Sequence, residues 1–278
     1  MKISNIYIKQ ISILSMVSLA VISLIGTGCE VEATQKLEDR GYQLTWSDEF
    51  EGDAIDGSKW TYDIGTGQDG WGNQELQYYT DSPKNVSLDG EGNMVITAIN
   101  ETFAGSPFTS ARVKTQGLFA QKHGRFEARL KTPYGPGLWP AFWLLGANVD
   151  EVTWPQCGEI DIMELRGQQP NIINGSIHGP GYSAGNSISG SFGLTDSRFD
   201  IEFHVFAVEW GEDFIEFFVD DTLYKRIVPE DVPGEWVYNN SEFFIILNVS
   251  VGGNYVGFPS PDTPFPQKMI VDYVRVYQ

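Results

Sequence analysis

Three carboxylates stand within six residues at Glu159, Asp161 and Glu164, in the run Gly158-Glu-Ile-Asp-Ile-Met-Glu-Leu165. Apolar residues fill every gap between them. The run therefore reads as a strand with one face on a core, and not as a solvated acidic stretch. Side chains alternate faces along a strand, which puts Glu159 and Asp161 together. Strict alternation would send Glu164 to the other side. A β-bulge at Ile162-Met163 adds one residue and returns Glu164 to the face of the other two. Crowded carboxyls lose a first proton easily and later ones with difficulty, so their pKa values split. Acid/base chemistry uses that separation. In glycoside hydrolysis one carboxylate must be ionised while its partner keeps a proton. An edge strand with outward acids, or a metal site, would show the same spacing, and without the bulge the catalytic reading fails.

Strands must position these acids. Residues 44–46, 94–98, 125–131, 203–210, 214–219, 243–251 and 269–277 alternate or run apolar at strand length. Gly211-Glu-Asp213 joins two of them as a hairpin turn. Thirty Gly and 14 Pro punctuate the rest, and no stretch keeps a helical period. Many short strands with frequent turns mean an all-β sandwich or barrel. A chain of 278 residues, 41% hydrophobic, is ample for one such domain.

The net charge of −19 argues against a nucleic-acid partner, whose phosphates it would repel. At the N-terminus Lys2 and Lys9 precede an apolar run over 11–25, and Gly26-Thr-Gly-Cys29 follows. This layout is an export signal over residues 1–28. A polar linker over 29–41 leads to a single domain over 42–278. No later run is long enough to span a bilayer. Two Cys make no disulfide framework. Cys157, with no basic neighbour in sequence to activate it, reads as a small buried filler.

Glu159-Ile-Asp-Ile-Met-Glu164 resembles the signature of glycoside hydrolase family 16, in the form with an extra residue before the last Glu. Trp71-Gly-Asn-Gln-Glu-Leu-Gln-Tyr-Tyr-Thr80, Gly124-Arg-Phe-Glu-Ala-Arg129, Gly137-Leu-Trp-Pro-Ala-Phe-Trp-Leu-Leu145 and Leu247-Asn-Val-Ser-Val-Gly-Gly253 look like its laminarinase branch. The similarity runs from about Leu44 to Gln278, with the motifs in the family's order. It implies a β-jelly-roll of two curved antiparallel sheets, with a substrate cleft on the concave one. It also implies a retaining endo-β-1,3-glucanase: Glu159 the nucleophile, Glu164 the general acid/base, and Asp161 hydrogen-bonded to Glu159.

Trp139 and Trp143, four apart, share a strand face; both could be core aromatics, and the resemblance makes them sugar platforms. Phe142, on the opposite face, should be core. By the same resemblance Trp71, Asn73 and Glu75 border the cleft, with Asn73 binding a hydroxyl. Arg112 would contact substrate, its ordinary fate being a surface salt bridge. His178 would stand beside the nucleophile; His123 and His204 read as structural. No two His have the spacing of a zinc site. Many family members hold a structural Ca2+ at positions matching Glu49, Gly92 and Asp272, although a hydrogen bond from a neighbouring N–H would serve Asp272 as well. Gly-Cys29 resembles a bacterial lipoprotein signal, with Gly26 where Leu is usual, and implies a lipid on Cys29; ordinary cleavage would give a free secreted protein.

The expected partner is a β-glucan of laminarin type, mixed-linkage glucan included, cut by a monomer without a catalytic cofactor. Two rivals stand beside it. Galactan hydrolases of the family carry the same motif form, but a sulfated substrate would favour a more basic chain than one with 18 Lys and Arg. A non-catalytic glycan-binding lipoprotein would share the fold but has no need of both Glu159 and Glu164.

Overall fold

Strands with one apolar face pair into two antiparallel sheets and press those faces together. The computed structural model describes residues 40–278, which lie within one compact unit. The export signal, Cys29 and most of the linker fall outside the described residues. The seven-stranded sheet runs Ile188–Gly193, Ile172–His178, Glu159–Leu165, Leu138–Gly146, Phe243–Val251, Arg112–Lys114, Thr61–Asp63. The eight-stranded sheet has Gly124–Lys131 between His204–Trp210 and Gln267–Tyr277, with Leu44–Asp48 and Met94–Ala98 also paired to the last. Gln77–Tyr79 and Phe108–Ser110 form a short parallel pair. Among the described residues the one α-helix is the four-residue turn Val149–Val152. Each of the seven strand segments read from the sequence is present.

The core lies between the sheets. Phe126, Leu130, Phe206 and Trp210 from one sheet meet Phe142, Leu144, Ile160 and Leu247 from the other, all fully buried. Phe243–Val251 is buried along its whole length, because its second face lies under the side chains of the site. Its even-numbered positions carry Phe244, Ile246, Asn248 and Ser250 to that outer face.

The bulge is where the spacing puts it. Asp161 stands opposite Trp143, Met163 opposite Phe142 and Glu164 opposite Ala141, so Ile162 is the extra residue. On the other edge Asp161 faces Ser176 and Glu164 faces Asn174, so Ile162 and Met163 together span Gly175. Ile160, Ile162, Met163 and Leu165 all enter the core. Gly175 cannot carry a side chain there, since a Cβ would lie 2.4 Å from Tyr224 Oη and 2.7 Å from Phe217 Cδ1.

The outer face of the eight-stranded sheet is a charge ladder. Arg125 bonds Glu127 at 2.8 Å and Glu209 at 2.9 Å. Glu209 and Glu216 lie directly opposite each other across two strands. Like charges so placed repel, and Arg40 bonds both of them. Arg40 therefore packs onto this sheet.

Candidate active site

Glu159, Asp161 and Glu164 share the outer face of the seven-stranded sheet with Trp139 and Trp143, on the strand beside them. Asp161 Oδ2 accepts hydrogen bonds from Ser176 Oγ at 2.7 Å and from His178 Nε2 at 2.9 Å. The same His178 nitrogen lies 3.6 Å from Glu159 Oε1. Trp139 gives its indole N–H to Glu164 Oε1 at 2.8 Å.

Burial, and next the charge on Asp161, push both Glu159 and Glu164 above the ordinary carboxylic acid. His178 opposes the rise at both, and the Trp139 N–H opposes it at Glu164. Repulsion between Glu159 and Glu164 keeps the two from ionising together. One ionised and one protonated carboxyl, beside an accepting Asp161, is the state that attack on an anomeric carbon with a protonated leaving oxygen requires.

His178 is tied down at both nitrogens. The Ala184 backbone N–H donates to its Nδ1 at 3.0 Å. The neutral ring then carries its proton on Nε2, towards Asp161. Burial works against a charged imidazole, while Asp161, Glu159 and Glu164 favour one and prevail, holding the pKa up at about 9. The Ala184 contact pulls the other way, because an imidazolium would set Nδ1–H against that N–H. Glu159, Asp161 and His178 have ligand atoms within 4.8 Å of one another. With Nε2 protonated and Nδ1 engaged, His178 offers a metal ion no lone pair, and displacement by two carboxylates needs no catalytic cofactor.

A polar chain runs from the acids towards the Gly-rich loop. Trp143 Nε1 donates to Asn248 Oδ1 at 2.8 Å, Asn248 to Ser250 Oγ at 3.0 Å, and Ser250 pairs with Tyr79 Oη at 2.7 Å. Tyr79 reaches Glu75 Oε2 at 3.2 Å, and Gln77 donates to that same oxygen at 2.6 Å. Arg112 is 8% exposed, so it is not a surface ion pair. Its guanidinium lies 4.6 Å from the Trp71 ring, 4.8 Å from Tyr79 and 5.6 Å from Trp143, between Glu75 at 3.6 Å and Asp63 at 3.7 Å. Asn73 stands at the rim, half-buried, with Nδ2 3.4 Å from Glu75 Oε1.

The structure thus brings together Glu159, Asp161, Glu164, Trp139, Trp143 and His178, with Arg112 and Asn73 further along the same face. Phe142 is core, as alternation requires, and Cys157 is buried. His123 and His204 lie elsewhere, paired with Asn239 and Asp220. Ser176, Asn248, Ser250 and Tyr79 went unread in the sequence. Period-two alternation on 243–251 could have found Asn248 and Ser250, since polar residues on an otherwise apolar strand must face something polar. Two shallow cavities of about 450 and 440 Å3 lie away from the acids, lined by residues such as Lys84 and Lys268 and by Phe265 and Pro266.

The expected Ca2+ ligands fit only in part. Glu49 gives its carboxylate to Arg275, at 3.0 and 2.8 Å, and Asp272 gives an oxygen to Arg129 at 2.5 Å. The Glu49 carbonyl oxygen does approach Gly92, lying 3.9 Å from where a Cβ would stand there. A cation at that place would be held by carbonyls and the remaining Asp272 oxygen, with two guanidiniums close by.

Known proteins resemble this chain in sequence and fold. The family model described as Glycosyl hydrolases family 16 matches residues 71–273. The beta-glucanase of Rhodothermus marinus is 39% identical over 263 residues, which cover 90% of this chain and 91% of that protein. The crystallised endo-beta-1,3-glucanase from Pyrococcus furiosus is 44% identical with a TM-score of 0.82, over 87% of this chain and 97% of that one. The laminarinase catalytic domain from Thermotoga maritima MSB8 is also 44% identical, with a TM-score of 0.81 over 85% and 98% of the two chains. The sandwich is therefore a jelly-roll, and the chain belongs to glycosyl hydrolases family 16.

Proposed function

We propose that this chain is a retaining endo-glycosidase that cleaves β-1,3-glucan of laminarin type. The observation that carries the reading is the bulge at Ile162, which sets Glu164 on the face of Glu159 and Asp161 beside two tryptophans. Glu159 attacks the anomeric carbon as Glu164 protonates the leaving oxygen, and Glu164 then takes a proton from water to release the glycosyl-enzyme. Asp161 is held in place beside Glu159 by Ser176 and His178. Trp139 and Trp143 offer flat faces for sugar rings. Arg112 acts by fixing Trp71 and Trp143 and Asn73 by offering an amide at the rim. The kinship with enzymes named as laminarinases and endo-1,3-beta-glucanases favours the substrate.

Reducing-sugar release from laminarin tests the reading. Glu159→Gln and Glu164→Gln should each cut it by orders of magnitude with unchanged circular dichroism. Full activity in either variant would remove the assignment. A structural Ca2+ belongs to the proposal, held by the backbone carbonyls of Glu49 and Gly92 and by the Asp272 carboxylate. Added Ca2+ should raise Tm over EDTA, and no rise means that the Arg pairs hold these positions without metal. Export, lipidation at Cys29 and a monomeric state complete it. Labelled palmitate should enter the wild type and not Cys29→Ser, and light scattering should give the mass of one chain.

A further inference from the structure

Beyond Glu164, on the side away from Glu159, the face continues into an aromatic and polar wall. The Tyr255 ring packs on Trp139 with centroids 5.0 Å apart, and the Arg166 guanidinium lies 4.2 Å over the same ring. Asn174, the register partner of Glu164, donates to Tyr255 Oη at 2.9 Å and accepts from Ser191 Oγ at 2.7 Å. The phenol oxygen is thus an acceptor within the protein, and among the described residues its own O–H donates to none. Burial, and then the charge of Glu164, push this hydroxyl well above its ordinary pKa, so it keeps the proton it has to give.

The loop that carries Tyr255 is fixed on several sides. Gly252 N–H bonds the Gly137 carbonyl at 2.7 Å, Asn254 N–H bonds the Asn73 carbonyl at 2.8 Å, and Gln168 bonds the Val256 carbonyl at 2.9 Å. At Gly253 the backbone has φ +124°, and a Cβ would stand 3.1 Å from the Asn73 carbonyl oxygen and 3.4 Å from Trp139 Cζ3. Tyr255 is therefore a wall and not a moving lid.

An acid that protonates a leaving oxygen stands beside the group that leaves. The surface past Glu164 then faces the sugar being expelled. Resting on the glycosidase reading, we infer that Tyr255, oriented by Asn174, binds that departing sugar through its free O–H. The same contact holds an incoming sugar when the glycosyl-enzyme is attacked by a saccharide instead of water. Tyr255 is in this way a specificity residue for what stands on the leaving side of the scissile bond.

The test compares two substrates with the same glycosyl part. One is a laminarin oligosaccharide, whose leaving group is a sugar. The other is the 4-nitrophenyl glycoside of laminaribiose, whose leaving group has no sugar hydroxyls. Loss of one hydrogen bond to the transition state corresponds to roughly three- to tenfold in kcat/KM. Tyr255→Phe keeps the ring on Trp139 and should lose about that factor on the oligosaccharide. Its loss on the aryl glycoside should be clearly smaller, so that the ratio of the two rates shifts. Transfer to added laminaribiose should fall relative to hydrolysis. Asn174→Ala, which leaves Tyr255 in place but unoriented, should shift the ratio in the same direction. Equal losses on both substrates, or no loss on the oligosaccharide, would overturn the inference. A wild type that cleaves neither would instead overturn the glycosidase reading beneath it.

Discussion

At the residue scale the site holds two similar carboxyls, each bonded by a different tryptophan. Burial and Asp161 raise both glutamates, while Trp154 bonds Glu159 and Trp139 gives its N–H to Glu164. A hydrogen bond to the charged form favours ionisation, so this bond lowers the Glu164 pKa from where burial alone would leave it. An acid/base residue must hold its proton at the first step, and the alkaline limb of the rate profile is where it loses that proton. In Trp139→Phe the anion is no longer supported, Glu164 keeps its proton to higher pH, and the alkaline limb of kcat/KM should move upward. The acid limb, where Glu159 takes up a proton, should move less. A pH–rate profile reads both limbs, and an alkaline limb that stays in place would show that Trp139 does not set the acid. The three acids, both tryptophans and His178 were legible in the sequence because each stands in a short motif whose spacing fixes its face. Arg112 was not. Its burial depends on Trp71, Tyr79 and Glu75 folding back over a strand more than thirty positions away, and no local pattern announces that.

At the element scale the bulge has a definite logic. Deleting Met163 would leave Glu-Ile-Asp-Ile-Glu, which alternates strictly and keeps all three carboxylates on one face without any bulge. The variant should therefore remain active on laminarin while losing stability, because a fully buried methionine is removed from the core. Laminarin assays with a thermal denaturation curve would check both halves. A folded but inactive deletion would mean that the bulge sets the distance between the carboxyls as well as their direction. The strand pattern itself was readable because period two is a local property. What lies across a strand is not: Ser176 on Asp161, Asn248 under Trp143 and Asn174 beside Glu164 come together only through pairing. The arginines beside the expected Ca2+ positions were unreadable for the same reason, since Arg275 and Arg129 stand 226 and 143 positions from the carboxylates they engage.

On the scale of the whole molecule, the two sheets divide the work. One presents aromatic and acidic groups to the substrate, and the other closes the core beneath a ladder of paired charges. Glu209 and Glu216 are almost fully buried and face each other, and Arg40 adds to the pairs that Arg125 and Arg226 make with them from within the sheet. Arg40→Ala removes the group that bonds both. The loss leaves Glu209 to Arg125 and Glu216 to Arg226 alone, and about 2 kcal/mol of stability should go with it. Chemical denaturation would show it as a lower midpoint at an unchanged m-value, with laminarin activity intact below the transition. No change in midpoint would mean that Arg125 and Arg226 suffice.

Cys157 lies two positions before Glu159, 1% exposed, with burial raising its thiol to about 11. It is the free cysteine of the described residues. A thiol reagent can reach it only when the entry to the acid-bearing strand opens, and only the thiolate reacts. The enzyme thus carries its own clock for the integrity of its chemistry. The rate at which a maleimide consumes Cys157 reports how often that strand parts from its neighbours, and a bound oligosaccharide that holds the strands together should slow it.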